Sequence, residues 1–173
     1  MFASLKALFQ TESLVQQAFD ECNRMLDLDW KMFQASIESL RHTDSAEVKA
    51  EVFDADKAVN KAERSIRRKI LTQLAVSGSE LSSGLAIASI VIDIERIGDY
   101  TKNIYDLATS HQAKLTCGPL EDRVAKVEAE ITELFKKTSE AFRTRDEESS
   151  REIMLHYKET LATECESIIT EIV

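Results

Sequence analysis

The chain has 173 residues, with 22 Lys and Arg against 31 Asp and Glu, and a formal net charge of −9. Four Gly and a single Pro are too few for an architecture of strands and tight turns, and favour long helices joined by short loops. The acidity argues against a general grip on nucleic acid, which needs clustered positive charge.

Residues 1–10 read as a short leader. Met1-Phe2-Ala3-Ser4-Leu5-Lys6-Ala7-Leu8-Phe9 lacks the long apolar core and cleavage site of a signal peptide. The first helix is expected from about Thr11 to Arg41, with Leu14, Ala18, Met25, Leu28, Met32 and Leu40 near the helical period. The second is expected from about Ser45 to Ala75, using Val48, Val52, Val59, Ile66, Ile70 and Leu74. Asp44 with Glu47 forms a capping box at its start, and Ser77-Gly78-Ser79 breaks the pattern after it. The third, about Glu80 to His111, is the most apolar. Ile87, Ile90, Val91, Ile94, Ile97, Ile104 and Leu107 cover more than one face, and Gly84, Ala88 and Gly98 would admit a close neighbour.

Cys117-Gly118-Pro119 is the clearest break, with Pro119 suited to the first turn of a new helix. A fourth helix is expected from about Leu120 to Arg143, and Asp146 caps a fifth running to the end. A shift of 102 residues lays Asp44 on Asp146, Val59 on Leu161 and Ile66 on Ile168, so helices one and two recur weakly as four and five. The fold class is therefore all-α, an up-down antiparallel helical bundle. It comprises a three-helix repeat over residues 11–115 and an incomplete, two-helix second repeat over residues 119–173. The third helix has no second copy within the sequence, and the apolar seam left open predicts a homodimer.

Cys22, Cys117 and Cys165 form no Cys-x-x-Cys pair, and His42, His111 and His156 form no His-x-x-x-His pair. Structural zinc and dithiol chemistry are not indicated, and lone cysteines fit a reducing cytoplasm. No apolar run approaches the roughly 20 residues needed to span a bilayer. Nor is there a Gly-rich phosphate loop, a nucleophile–base set, or a Glu-x-x-His pair of the di-iron bundle enzymes. The expectation is a non-enzyme.

Two polar stripes carry the chemistry. Glu95, Asp99 and Asn103 lie four residues apart in the apolar third helix, and Asp56, Asn60 and Glu63 fall at i, i+4 and i+7 in the second. Such spacings keep side chains on one face. Carboxylates four apart repel each other, and partial burial multiplies the cost, so a cation is expected opposite. It is either a metal ion or basic side chains such as Arg64, Arg67, Arg68 and Lys69. Oxygen-rich ligand sets suit Mg, Ca, Mn or Fe; carboxylates also bind Zn.

The run Asp93-Ile94-Glu95-Arg96-Ile97-Gly98-Asp99-Tyr100-Thr101-Lys102-Asn103-Ile104 resembles the signature of the PhoU family, approximately (Asp/Leu)-x-Glu-Arg-Ile-Gly-Asp-x-x-x-Asn-Ile. Asp56-Lys57-Ala58-Val59-Asn60-Lys61-Ala62-Glu63 is similar to that family's second helix. The likeness covers about Asp44 to Leu107. It implies two tandem three-helix bundles and multinuclear metal clusters. Metal-ligand roles then fall to Glu95, Asp99, Asp56 and Glu63, with Asn60 and Asn103 as polar supporters. It also implies restraint of phosphate uptake through contact with a phosphate transporter, either the ATPase component of a Pst-type system or a sodium- or proton-coupled carrier. A sensor histidine kinase is a second implied partner, and any membrane association would be through these partners. The sequence departs from the family pattern in its second half, where Lys158 and Ala162 stand where the repeat would place Asp56 and Asn60. At most one metal site per chain is expected. A helical interaction module without metal is the competing expectation.

Overall fold

The computed structural model describes residues 14–44, 50–76, 81–111 and 113–172. The protein is all-α, and among the described residues there is no strand. Helix α1 spans Leu14–Ile37, α2 Ala50–Val76 and α3 Leu81–Ser110. A single 3-10 turn, Gly118–Leu120, leads into α4, Glu121–Thr144. Helix α5, Glu147–His156, continues through a π-helical turn, Tyr157–Leu161, into α6, Ala162–Ile172. Two compact units result, one up to Gln112 and the other from Ala113. The expected first-helix start at Thr11, the Asp44–Glu47 capping box and the Ser77–Ser79 break fall wholly or partly outside the described residues.

In the first unit α1, α2 and α3 pack on one another as an up-down bundle. Its core takes the same positions that the helical period marks: Ala18, Met25 and Met32 from α1, Val52, Val59, Ile66 and Ile70 from α2, and Ile87, Val91 and Ile94 from α3. Met32, Val52 and Tyr105 form one fully buried cluster with Phe53 packed against it. The Phe53 and Tyr105 rings meet edge to face at 5.7 Å, the arrangement that aromatic quadrupoles favour. Helix α1 ends in a π-helical turn, Glu38–His42, where the Thr43 hydroxyl donates to the Glu38 carbonyl. That bond satisfies one of the carbonyls a helix end leaves open.

Helix α3 is less central than its apolar run suggests. Leu85, Ile92, Tyr100 and Leu107 are 54 %, 39 %, 62 % and 44 % exposed. In a bundle of three, a helix meets its two neighbours over only part of its circumference, so an apolar outer face stays uncovered.

In the second unit, α4 pairs with α5 and α6 to make a helical hairpin. Gly118 has φ of +55°, the left-handed region that glycine enters without penalty, and Pro119 comes next at the head of the 3-10 turn. Arg145 occupies the left-handed position after α4 with φ of +57°. The Asp146 side chain then accepts from the backbone N–H groups of Glu148 and Ser149, which caps α5 as its sequence position implies. Arg123 on α4 clamps α6 by donating to Glu164, Ser167 and Glu171. The hairpin buries few large side chains, chiefly Leu161 and Ile168.

Ile66, fully buried on α2, tests where the first unit's stability resides. Ile66→Ala should cost about 2–5 kcal/mol in denaturant unfolding. A loss below about 1 kcal/mol would mean that α2 is not packed as described.

Candidate functional site

The two polar stripes occupy the seam between α2 and α3, and α1 adds a third element to it. Asp56 and Glu63 are largely shielded on α2, each side chain 13 % exposed. Glu95 on α3 is half-buried, whereas Asp99 and Asn103 are exposed. Glu95 feels the carboxylates of Asp99, Glu63 and Asp56, so the stripes do share one electrostatic environment. Desolvation comes first among the causes and repulsion second, and together they hold the Glu95 carboxyl above the usual carboxylate range.

Part of the negative charge is met by the chain's own cations. Lys102, one turn beyond Asp99 on α3, reaches across to Asp56 at 3.5 Å. Arg67, one turn beyond Glu63 on α2, closes on it at 2.9 Å. Asn60 donates its side-chain amide to the Asp56 carbonyl at 3.0 Å and to its carboxylate at 3.3 Å, pinning the acid in place. Asn60 therefore supports Asp56, while Asn103 faces solvent.

The residue that sequence reasoning missed is Asp29. It is completely buried on α1, and neither carboxyl oxygen has a hydrogen-bond partner. Burial and then the nearby carboxylates of Glu95, Asp56 and Asp99 push its pKa up to about 8, so at neutral pH it is mostly protonated. A neutral carboxyl is the form that a low-dielectric site full of like charges selects. A signal for it exists in the sequence. Asp29 continues the α1 rows of Met25, Met32 and Ser36, all buried, at helical spacing. Its acidic side chain, by contrast, is of a type that ordinarily sits at the surface.

Asp29 also explains the glycine of the Glu-Arg-Ile-Gly-Asp run. A methyl group at Gly98 would stand 2.7 Å from Asp29 Oδ1, closer than real carbon–oxygen contacts. Glycine at this point lets α1 and α3 close on each other. One turn along α3, the buried Ser36 hydroxyl lies 3.0 Å from the Thr101 carbonyl and 2.7 Å from that of Met32, tying α1 to α3 again.

A model of the PhoU domain matches residues 22–108, which take in α2, nearly all of α3 and most of α1. That is half of the chain. The chain belongs to the PhoU family. No curated protein and no solved structure matches it. The PhoU match covers both stripes, Asp29 and Gly98. The metal clusters implied by the resemblance can be set against the donors present in the seam. Among the described residues no three Asp, Glu, His or Cys side chains converge so as to ligate one ion. With Asp56 paired to Lys102, Glu63 paired to Arg67 and Asp29 protonated, the seam as it stands does not fit a multinuclear metal.

The protonation of Asp29 couples stability to pH. Its unfolded form loses a proton near pH 4 and its folded form near pH 8, so between those values unfolding releases a proton. Stability should fall as pH rises through that window, by up to about 1.4 kcal/mol per pH unit, and level off above pH 8. Glu95 adds to the fall with the same sign. Asp29→Asn should flatten most of the slope in denaturant unfolding at pH 5 to 8; an unchanged slope would mean that Asp29 is ionised in the fold. Separately, Gly98→Ala should destabilise by about 1–3 kcal/mol through overpacking. In an Asp29→Ala background the same change should be neutral or stabilising by up to about 1 kcal/mol, because alanine is the better helix former.

Proposed function

We propose that the chain is a cytoplasmic regulatory module of phosphate uptake that acts by protein–protein contact, an accessory to a phosphate carrier. Its acidic seam is balanced by the chain's own lysine, arginine and protons. The PhoU domain over residues 22–108 supports the regulatory role. The observation that carries the metal-free form is the pairing of Asp56 with Lys102 and of Glu63 with Arg67. The partners of this reading are a sodium- or proton-coupled carrier or the ATPase component of a Pst-type transporter, with a sensor histidine kinase as the signalling arm. Contact rather than catalysis is its mode of action: a helical surface that docks on a transporter changes the transporter's conformational populations by its differential affinity for them. Among the described residues no helix is long and apolar enough to cross a membrane, so the membrane is reached through the partner.

A second reading keeps a divalent or trivalent ion (Fe, Zn, Mn, Mg or Ca) on Glu95, Asp99, Asp56 and Glu63. It is favoured by one observation, the two unpartnered oxygens of Asp29 beneath Glu95 and Asp99. It requires Lys102 and Arg67 to give up their present partners.

Deletion of the gene should derepress phosphate uptake or phosphate-starvation genes, and the tagged protein should recover a carrier or kinase from detergent-solubilised membranes. Unaltered phosphate control on deletion would remove the regulatory reading. Elemental analysis of protein purified without chelator separates the two forms. Substoichiometric metal, with no gain in melting temperature on adding Mn, Fe or Zn, is expected. A stoichiometric ion that Asp99→Ala abolishes would establish the second reading instead.

A further inference from the structure

On α2, Lys57, Lys61, Arg64 and Arg68 recur at steps of four, seven and eleven residues, which keeps all four within one narrow face. All four are exposed. Lys57 pairs with Asp54 at 3.2 Å, while Lys61, Arg64 and Arg68 have no ion-pair partner among the described residues. Leu71, 66 % exposed, continues the same face. A shallow cleft opens there along Arg64, Arg67, Arg68, Leu71, Thr72 and Ala75. In a chain of net charge −9, three unpaired cations in a row with an apolar neighbour form an electrostatic exception.

Helix α5 and the turn after it carry the opposite pattern. Glu148, Glu152 and Glu159 stand at the same zero, four and eleven spacing, with Leu155 at the seventh position. These three glutamates are exposed and unpaired among the described residues. Leu155 is 57 % exposed. One stripe offers a line of cations ending on a leucine, and the other a line of anions holding one. The two match in charge and in pitch. We propose that the α2 face of one copy docks on the α5 face of a second copy, so that two chains associate through a reciprocal pair of acidic–basic helix contacts. A two-fold arrangement uses each face once per chain and closes.

A straight, narrow row of charges on a convex helix suits another helix better than a bilayer. Four cations attract an anionic bilayer only weakly, and the chain's net charge opposes it. The proposal stands apart from the phosphate reading, since it concerns which surfaces meet and not what the pair regulates.

Charge reversal tests it. Arg64→Glu with Arg68→Glu gives a chain with two acidic faces, and Glu148→Arg with Glu152→Arg gives one with two basic faces. Sedimentation at low salt should show wild type in a concentration-dependent monomer–dimer equilibrium that weakens as salt is raised. Each double variant alone should self-associate on the order of tenfold or more weakly. An equimolar mixture of the two should recover dimers, because each then supplies the face the other lost. Circular dichroism of each variant checks that the helices persist. The proposal is overturned if wild type is monomeric throughout, if the variants dimerise as wild type does, or if mixing restores nothing. Binding of wild-type monomer to vesicles rich in phosphatidylserine, lost in the Arg64/Arg68 variant, would assign the stripe to a membrane and also overturn it.

Discussion

A carboxyl group sealed between helices governs the first unit. Asp29 lies fully buried against Gly98, at a point where one added methyl would stand 2.7 Å from its oxygen. Its environment already holds the carboxylates of Glu95, Asp56 and Asp99, so full ionisation of the group would be costly. The fold accommodates it by keeping a proton on it and by removing the side chain of the residue it touches. The spacing of α1 and α3, the glycine of the signature run and the elevated titration of Glu95 all depend on that one placement.

The seam's remaining charge is handled one residue at a time. Lys102 answers Asp56, Arg67 answers Glu63, and Asn60 holds Asp56 still. Pairs of this kind at a helix surface contribute modestly to stability. Their larger consequence is that the acidic side chains are oriented toward cations of the chain and do not gather on a shared point. The PhoU domain is present, while a metal in this copy of it would need a rearranged seam. Outside the seam, exposed apolar side chains on α3 and unpaired charges on α2 and α5 leave surface for contact with other proteins. Exposed apolar area rimmed by polar groups is what interaction surfaces offer.

Much of the fold was legible in the sequence. The helical period located Met25, Met32, Val52, Val59, Ile66, Ile70, Val91 and Ile94, and all are buried. Asp146 and Gly118 marked their boundaries because caps and left-handed turns are local chemistry, decided within a few residues. The outer face of α3 was misjudged, since an apolar residue signals a tendency to be buried and does not say what will cover it. Asp29 escaped for the converse reason: its period was that of the core, and its chemistry was that of the surface.

Which residues share a helical face is a property of spacing, and the sequence determined it for Glu95 with Asp99, for Asp56 with Glu63, and for Lys61, Arg64 and Arg68. The family, too, could be read from the order of residues around Gly98. Which faces meet, and which proton or cation satisfies them, depends on how helices far apart in the chain pack together. Only the tertiary structure could set Lys102 beside Asp56, or bring Asp29 from α1 under Gly98 of α3. Electrostatic energy and steric exclusion depend on distances in space, and those distances are fixed by packing.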